Sequence, residues 1–271
     1  ALTGGTPKAG KINQNLARAA AEFGIGMGVG SQRAMLENKE AIQTYQVRDV
    51  APDILLLGNI GATQLPGLKT QTIITMVNQI GADGLAVHLN AAQEMCQPEG
   101  DTDWSKVLSH VERICSQVPF PVIVKETGCG IDGETARRLA NAGVAGLDIA
   151  GAGGTSFTKV ESYRSIPKTQ AFGEWGIPTA DSLWQCRNSV NIPLIASGGL
   201  RTGVDCAKSI AMGASLSGFA LPLLDAAQRS YHEVLQILSA LGEEFKRTML
   251  LVGASNVDGL SRVQVICNQS S

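Results

Sequence analysis

Four polar side chains stand close together at His88, Asn90, Gln93 and Glu94, in the run His-Leu-Asn-Ala-Ala-Gln-Glu. His88 and Asn90 lie two residues apart at the end of an apolar run that reads as a strand, so both project from one face. Gln93 and Glu94 fall just beyond, in what reads as the following loop. An imidazole, two amides and one carboxylate suit an oxygen-rich ligand held through a hard cation. Mg2+ is commonly bound by one or two carboxylates plus substrate phosphates, with waters completing its shell. The same residues also suit a plainer arrangement, a capping carboxylate beside a hydrogen-bonded core histidine. The other histidines, His110 and His232, lie in stretches of helical period and are expected at the surface.

Lys125 closes the apolar run Val122-Ile123-Val124. Turned inward, its ammonium needs an anionic partner, because an unpaired buried charge is very costly. A reduced flavin, negative around N1 and O2, is a candidate partner. Turned outward, the same lysine would reach solvent at the rim. Three glycine-bearing loops follow: Gly151-Ala152-Gly153-Gly154-Thr155, Ser197-Gly198-Gly199 and Gly218-Phe219-Ala220. Glycines let amide groups converge on an anion, and phosphates settle at such loops beside helix amino termini. Each loop alone is equally a tight turn; three in succession favour a phosphate-bearing ligand.

The elements that must position these residues are short apolar runs separated by helical stretches. The runs cover residues 24–30, 53–59, 84–89, 121–125, 146–149, 192–197 and 214–218, and near-continuous hydrophobicity marks parallel strands covered by helices. Residues 70–80, 105–118, 132–142 and 179–190 carry helical spacing, the third and fourth opening on capping-type residues. Alternating β and α units imply a parallel sheet with right-handed crossovers. With Ala1-Leu2 as the stub of one further strand, eight units in 271 residues match a single α/β domain over 1–271, a (β/α)8 TIM barrel whose functional residues gather at the strand carboxyl ends. An open doubly wound sheet is the alternative.

Composition narrows the partners. Twenty-two Lys and Arg against twenty-four Asp and Glu give a net charge of −2, with no basic field for nucleic acid. No apolar run reaches membrane-spanning length and no signal-peptide pattern is present. The six cysteines show no CxxC spacing, as expected of buried, reduced thiols in a cytoplasmic protein. The chain opens without Met, as if a lead-in segment were missing.

Thr-Gly-Gly-Thr at the start, Gly-Ser-Gln-Arg at 30–33, Gln-Val-Arg at 46–48, Pro-Asp-Ile-Leu-Leu at 52–56, His-Leu-Asn-x-x-Gln-Glu at 88–94, Pro-Glu-Gly-Asp at 98–101, Val-Ile-Val-Lys-Glu at 122–126, Gly-Ala-Gly-Gly-Thr at 151–155, Trp-Gly-Ile-Pro-Thr at 175–179 and Ala-Ser-Gly-Gly-Leu-Arg at 196–201 occur in one order. That ordered set resembles the type 2 isopentenyl-diphosphate isomerases over residues 1 to about 255. The resemblance implies FMN- and Mg2+-dependent interconversion of isopentenyl and dimethylallyl diphosphate. Reduced flavin would act as acid–base agent without net redox change, and NADPH would only reduce it beforehand. It assigns FMN to Ala1, Leu2, Thr3, Ser31, Asn59, Lys125 and Thr155, with the phosphate at Gly198, Gly199 and Leu200 beside Ala220 and Leu221. Gln93 would face the substrate as the catalytic residue and Glu94 would hold the Mg2+, while His88, Asn90 and Arg33 would line the diphosphate region. A homo-oligomer, tetramer or octamer, is also implied.

Several positions depart from the family. The preceding segment, which carries an Arg and a Lys for the diphosphate in relatives, is missing; Leu2 replaces Met, Ala150 a flavin-contacting Ser and Phe157 a Trp; residues 164–170 read as short. Two other readings remain: an FMN-dependent 2-hydroxy-acid oxidase, which needs a His–Arg pair where this chain has Gly-Ala-Gly-Gly-Thr-Ser-Phe, and a non-catalytic flavin-binding module.

Overall fold

All seven apolar runs contain a strand, and the seven strands join in chain order into one parallel sheet. They are β1 (Met27–Gly28), β2 (Leu56–Gly61), β3 (Gly84–His88), β4 (Val122–Lys125), β5 (Gly146–Asp148), β6 (Leu194–Ala196) and β7 (Leu216–Ser217). The structure, a computed structural model, describes residues 3–164 and 170–266. The expected eighth strand at Ala1-Leu2 lies outside the described residues, as do 165–169 of the stretch that reads as short. The main chain just after that expected strand is in place: the Thr3 carbonyl accepts from Gly30 N at 2.8 Å, beside the end of β1.

Several strands are shorter than their runs, for identifiable reasons. Residues 24–26 do not extend β1 because Gly24 ends the preceding helix, its φ of 79° in the left-handed region that glycine adopts without strain. The central strands are buried nearly throughout, β3 from Gly84 to Val87, because helices cover the sheet and no face meets water.

The helices are α1 (Pro7–Phe23), α2 (Arg33–Glu37), α3 (Thr70–Gln79), α4 (Ala91–Cys96), α5 (Val107–Gln117), α6 (Gly133–Asn141), α7 (Phe157–Ser162), α8 (Thr179–Arg187), α9 (Gly203–Ala211), α10 (Leu221–Arg229), α11 (Tyr231–Leu251) and α12 (Val257–Leu260). The four expected from periodicity are α3, α5, α6 and α8. Capping fixes the starts of several: Thr6 accepts from Ala9 N on α1, Asp132 from Glu134 N and Thr135 N on α6, and Thr202 forms a capping box with Asp205 on α9. One expectation is corrected here. Gln93 and Glu94 sit in α4, not in a loop, because a full helical turn closes directly after Asn90.

The main core joins the sheet to the helices around it and runs from Ala17 to Leu260. A second apolar cluster packs Ile12 and Ala19 of α1 against Leu223, Ala226 and Ala227 of α10 and Val234 and Leu238 of α11. Cys186 and Cys206 are buried thiols, whereas Cys115 and Cys129 are half-buried and Cys267 lies outside the described residues. His232 is exposed as expected; His110 is half-buried. Among the described residues, no helix is long and apolar enough to cross a membrane.

Candidate active site

A cavity of about 580 Å3 opens at the carboxyl ends of the strands, a volume suited to a cofactor or small substrate. Ser31, Asn59, His88, Gln93, Lys125 and Thr155 line it, as do Gly198, Gly199, Leu200, Ala220 and Leu221. Every one of these is a residue singled out in the sequence. Lys125 therefore faces the barrel interior, not the rim.

Three titratable residues form a row across the sheet. His88 on β3 is in register with Lys125 on β4, which is in register with Asp148 on β5. Parallel pairing puts all three side chains on the same face, and all three line the cavity. The His88 pKa is driven down to about 3 by burial and by the Lys125 charge. Its Nδ1 lies 2.9 Å from Asn59 Oδ1. Asn59 Nδ2 donates to the Val29 carbonyl, which fixes the amide so that its oxygen faces the ring. His88 Nδ1 must then carry the proton, leaving Nε2 as an acceptor. Asn59 is itself buried and held by Gln32 Oε1, which accepts its backbone N–H at 3.0 Å. On the other side, Ser197 Oγ donates to Asp148 Oδ1 at 2.5 Å. Burial lowers the Lys125 pKa, opposed by the charges of Asp148 and Glu126.

At the cavity edge, Gln93 Nε2 donates to Glu161 Oε1 at 3.1 Å, and Gln97 Nε2 donates to the same oxygen at 2.8 Å. Glu161, on α7, is 3% exposed; its pKa is lowered, because these amides and Arg164 outweigh its burial. With its nitrogen so committed, the Gln93 amide keeps its oxygen for a ligand. Glu94 lies behind: Oε1 accepts from Asn90 Nδ2 at 2.8 Å and Oε2 from Asp101 N at 2.9 Å. Asn90 is buried, and its Oδ1 is the one buried side-chain polar atom without a partner among the described residues.

The glycine loops close the opposite end. Gly198 and Gly199 have φ of 97° and 80°, accessible without strain only to glycine. A Cβ on Gly199 would lie 2.5 Å from the Gly153 carbonyl carbon, so the two loops meet backbone to backbone. Arg201 ties them further, donating to the Gly199 and Gly153 carbonyls. The helix that follows is not open to an anion. Asp205 Oδ2 takes the Arg201 and Thr202 amides and Glu244 Oε2 takes Gly203 N. The amino terminus of α10 is different: Ala220 caps it without a side-chain hydrogen bond, and Ala220 and Leu221 line the cavity. Pro222 has no N–H and Leu223 N donates to the Ala220 carbonyl, so in the first turn the Leu221 amide is the one left as an anion donor.

Some residues singled out in the sequence are not gathered here. Arg33 is exposed on α2, where it pairs with Glu37 at 2.9 Å and does not line the cavity. Thr3 spends its hydroxyl on Asn13, and Ala1 and Leu2 lie outside the described residues. Asp148, Glu126, Ser197 and Glu161 were not singled out as functional. Asp148 carried a usable signal, a lone acid in an otherwise apolar strand; Glu161 carried none, because Gln93 and Gln97, which it holds, are more than sixty residues away.

The model of the FMN-dependent dehydrogenase family matches residues 58–266. An isopentenyl-diphosphate delta-isomerase from Pyrococcus furiosus is 47% identical over 98% of this chain and 71% of its own length. One from Methanothermobacter thermautotrophicus is 46% identical over 98% of this chain and 76% of its own. The chain belongs to the isopentenyl-diphosphate delta-isomerase family. Within the FMN-dependent dehydrogenases, that membership accounts for a flavin-sized cavity floored by a lysine. The fold is shared more widely. Lactate oxidase of Pediococcus acidilactici superposes with a TM-score of 0.67 at 18% identity, over 93% of this chain and 70% of that one. Mandelate oxidase does so with a TM-score of 0.63 at 20% identity, over 93% and 73%. These oxidases establish the α/β TIM-barrel architecture for this member of the isomerase family.

Proposed function

We propose that this protein interconverts isopentenyl diphosphate and dimethylallyl diphosphate using FMN and Mg2+, with NADPH serving only to reduce the flavin. The observation that carries the reading is one cavity lined both by the glycine loops with the start of α10 and by Gln93, His88 and Lys125, in a chain of this family. A homo-oligomeric, cytoplasmic enzyme is part of the same proposal.

The residues present fit the flavin. Gly198, Gly199, Leu200, Ala220 and Leu221 would take its phosphate, in a cradle where a Cβ on Gly199 would strike backbone. Ser31, Asn59, Lys125 and Thr155, which line the cavity, would hold the ring and ribityl chain. They also fit a hard cation. The Glu94 carboxylate stands hydrogen-bonded to Asn90, whose Oδ1 is buried and unpartnered, and substrate phosphate oxygens would complete the shell. Reduced FMN, when bound, supplies the acid–base group beside the alkene. The chain's own work is electrostatic and steric. Lys125 favours negative charge on the ring, His88 offers Nε2 as a neutral acceptor, and Gln93 turns its carbonyl oxygen to the substrate. Ala150, Phe157 and Phe219 line the cavity with apolar surface, which excludes water from a cationic transition state. The oxidase reading lacks support: the cavity-lining residues after β5 are Ala150, Gly151, Gly154, Thr155 and Phe157, with no imidazole.

The test is anaerobic incubation with isopentenyl diphosphate, FMN, Mg2+ and NADPH. Dimethylallyl diphosphate should appear without matching NADPH consumption; bound flavin without product would favour a non-catalytic module. Glu94→Gln should keep the flavin colour and lower turnover on the order of 100-fold or more, given the several kcal/mol a Lewis-acid metal provides.

A further inference from the structure

We propose that Asp148 is a positioning residue of this site: from the neighbouring strand it supplies the standing counter-charge of the Lys125 ammonium, so that the lysine is charged before any flavin arrives. Lys125 and Asp148 are register partners on β4 and β5 and line the same cavity. A half-buried ammonium at the end of an apolar strand needs a negative charge close by.

On one side stands His88, the register partner from β3, which is neutral and offers no charge. Next in the chain is Glu126. Its main-chain carbonyl accepts from Lys125 Nζ at 2.7 Å, and its carboxylate, the second charge acting on the lysine, is anchored through one oxygen to the loop that follows. Glu126 Oε2 accepts the backbone N–H groups of Thr127, Gly128 and Cys129 at 2.6, 2.7 and 2.5 Å. That oxygen shapes the loop after β4. On the remaining side is Asp148. The Ser197 hydroxyl donates to its Oδ1 and holds it in place, while Oδ2 accepts no hydrogen bond from the described residues. Asp148 is thus the carboxylate in the row with an uncommitted oxygen. Burial pushes the Lys125 pKa down, and the Asp148 charge is the foremost influence opposing it.

The division of labour rests on the flavin reading for its consequence only. With Asp148 in place, Lys125 presents positive charge independently of the ligand, and the site is preorganised for an electron-rich ring. Without it, lysine protonation and ligand binding become coupled, and the site responds to pH across the neutral range.

The experiment uses the full chain carrying [ε-13C]lysine, with the Lys125 signal assigned by its loss in Lys125→Arg, and follows that signal against pH without flavin. In the wild-type protein, Lys125 should be an ammonium at pH 7. Asp148→Asn should lower the midpoint by about one pH unit or more, a tenfold change in the ammonium-to-amine ratio, and Asp148→Glu should recover most of it. An unchanged or raised midpoint in Asp148→Asn overturns the proposal. So does a wild-type lysine already neutral at pH 7, a result that needs no variant to fold. The midpoint potential of bound FMN gives a second readout. In Asp148→Asn, its plot against pH should break at the lowered lysine midpoint, where the wild-type plot is straight; a variant plot without that break counts against the proposal. Failure of FMN to bind the wild-type protein would instead sink the flavin reading and leave the lysine titration to decide the role of Asp148.

Discussion

Replacing Gly199 by Ala tests the glycine cradle with two effects that can be separated. The first is backbone strain. Gly199 has φ of 80°, and an L-residue in that region costs about 1–2 kcal/mol. The second is collision. The new Cβ would lie 2.5 Å from the Gly153 carbonyl carbon and 2.6 Å from its oxygen, where ordinary contact begins near 3.4 Å. Both atoms are backbone, so neither can swing aside, and the loops after β5 and β6 must part by about 0.9 Å. Overpacking of this kind costs about 1–3 kcal/mol. The sum, about 2–5 kcal/mol, is a large share of the 5–15 kcal/mol typical of a folded domain. Two control variants isolate the contributions. Gly253 has φ of 73° with nothing within 4 Å of a Cβ, and Gly67 has open space and no positive φ. Urea unfolding without flavin should therefore rank Gly199→Ala well below Gly253→Ala, with Gly67→Ala near wild type. FMN titration followed by fluorescence should show the Gly199 variant weakened about 10- to 100-fold, the loss of one or two charge-assisted hydrogen bonds to phosphate. If Gly199→Ala loses no more stability than Gly253→Ala and binds FMN as wild type does, the close loop–loop contact is not what shapes the cradle.

Three further outcomes are expected. His88 titrates near 3 when folded and near 6.5 when unfolded, so between those values the unfolded chain takes up a proton that the folded chain refuses. Its contribution is complete above about pH 6.5 and falls by about 5 kcal/mol as pH drops to 3; in urea unfolding against pH, His88→Asn should flatten that slope by one proton. Ala150 has φ of 34°, the one positive φ among described non-glycine residues. In thermal melts Ala150→Gly should be neutral or up to about 1 kcal/mol more stable, whereas Ala86→Gly in β3 should cost about 1–2 kcal/mol. Arg48 donates to the carbonyls of Gly81, Pro52 and Ile54 and to Asp83 at 2.7–2.9 Å. Arg48→Ala should lower stability by about 2–4 kcal/mol and leave FMN affinity unchanged, placing the Gln-Val-Arg motif in the scaffold and not in the site.

What could be read in the sequence followed the reach of each signal. Strand runs such as 84–89 were legible because a strand buried on both faces is apolar at every position. The polar residue ending each run marked the cavity, because the barrel gathers strand ends at one mouth. Short helices were not legible: α4 has six residues, fewer than two turns, and shows no period. Arg33, which the resemblance assigns to the diphosphate region, is paired with Glu37 by a single turn of such a short helix. The partners of Gln93 were hidden for a different cause. Glu161 reaches it across 68 residues of chain, and only the packing of α7 against α4 brings them together. Asp148 could have been found by asking which acid balances Lys125 in the adjacent strand.

The pairing of α1 with α10 and α11 carries a consequence for synthesis. Ile12 and Ala19 pack with Leu223, Ala226, Ala227, Val234 and Leu238, and Asn15 donates to the Ala227 carbonyl across 212 residues. At about 5–20 residues per second, a ribosome needs roughly 10–40 seconds to make the intervening chain. Throughout that interval the apolar stripe of the first helix waits uncovered on the nascent polypeptide. This barrel can be sealed only after nearly all of it has been translated, so its early helix is a natural client for a chaperone stationed at the exit tunnel.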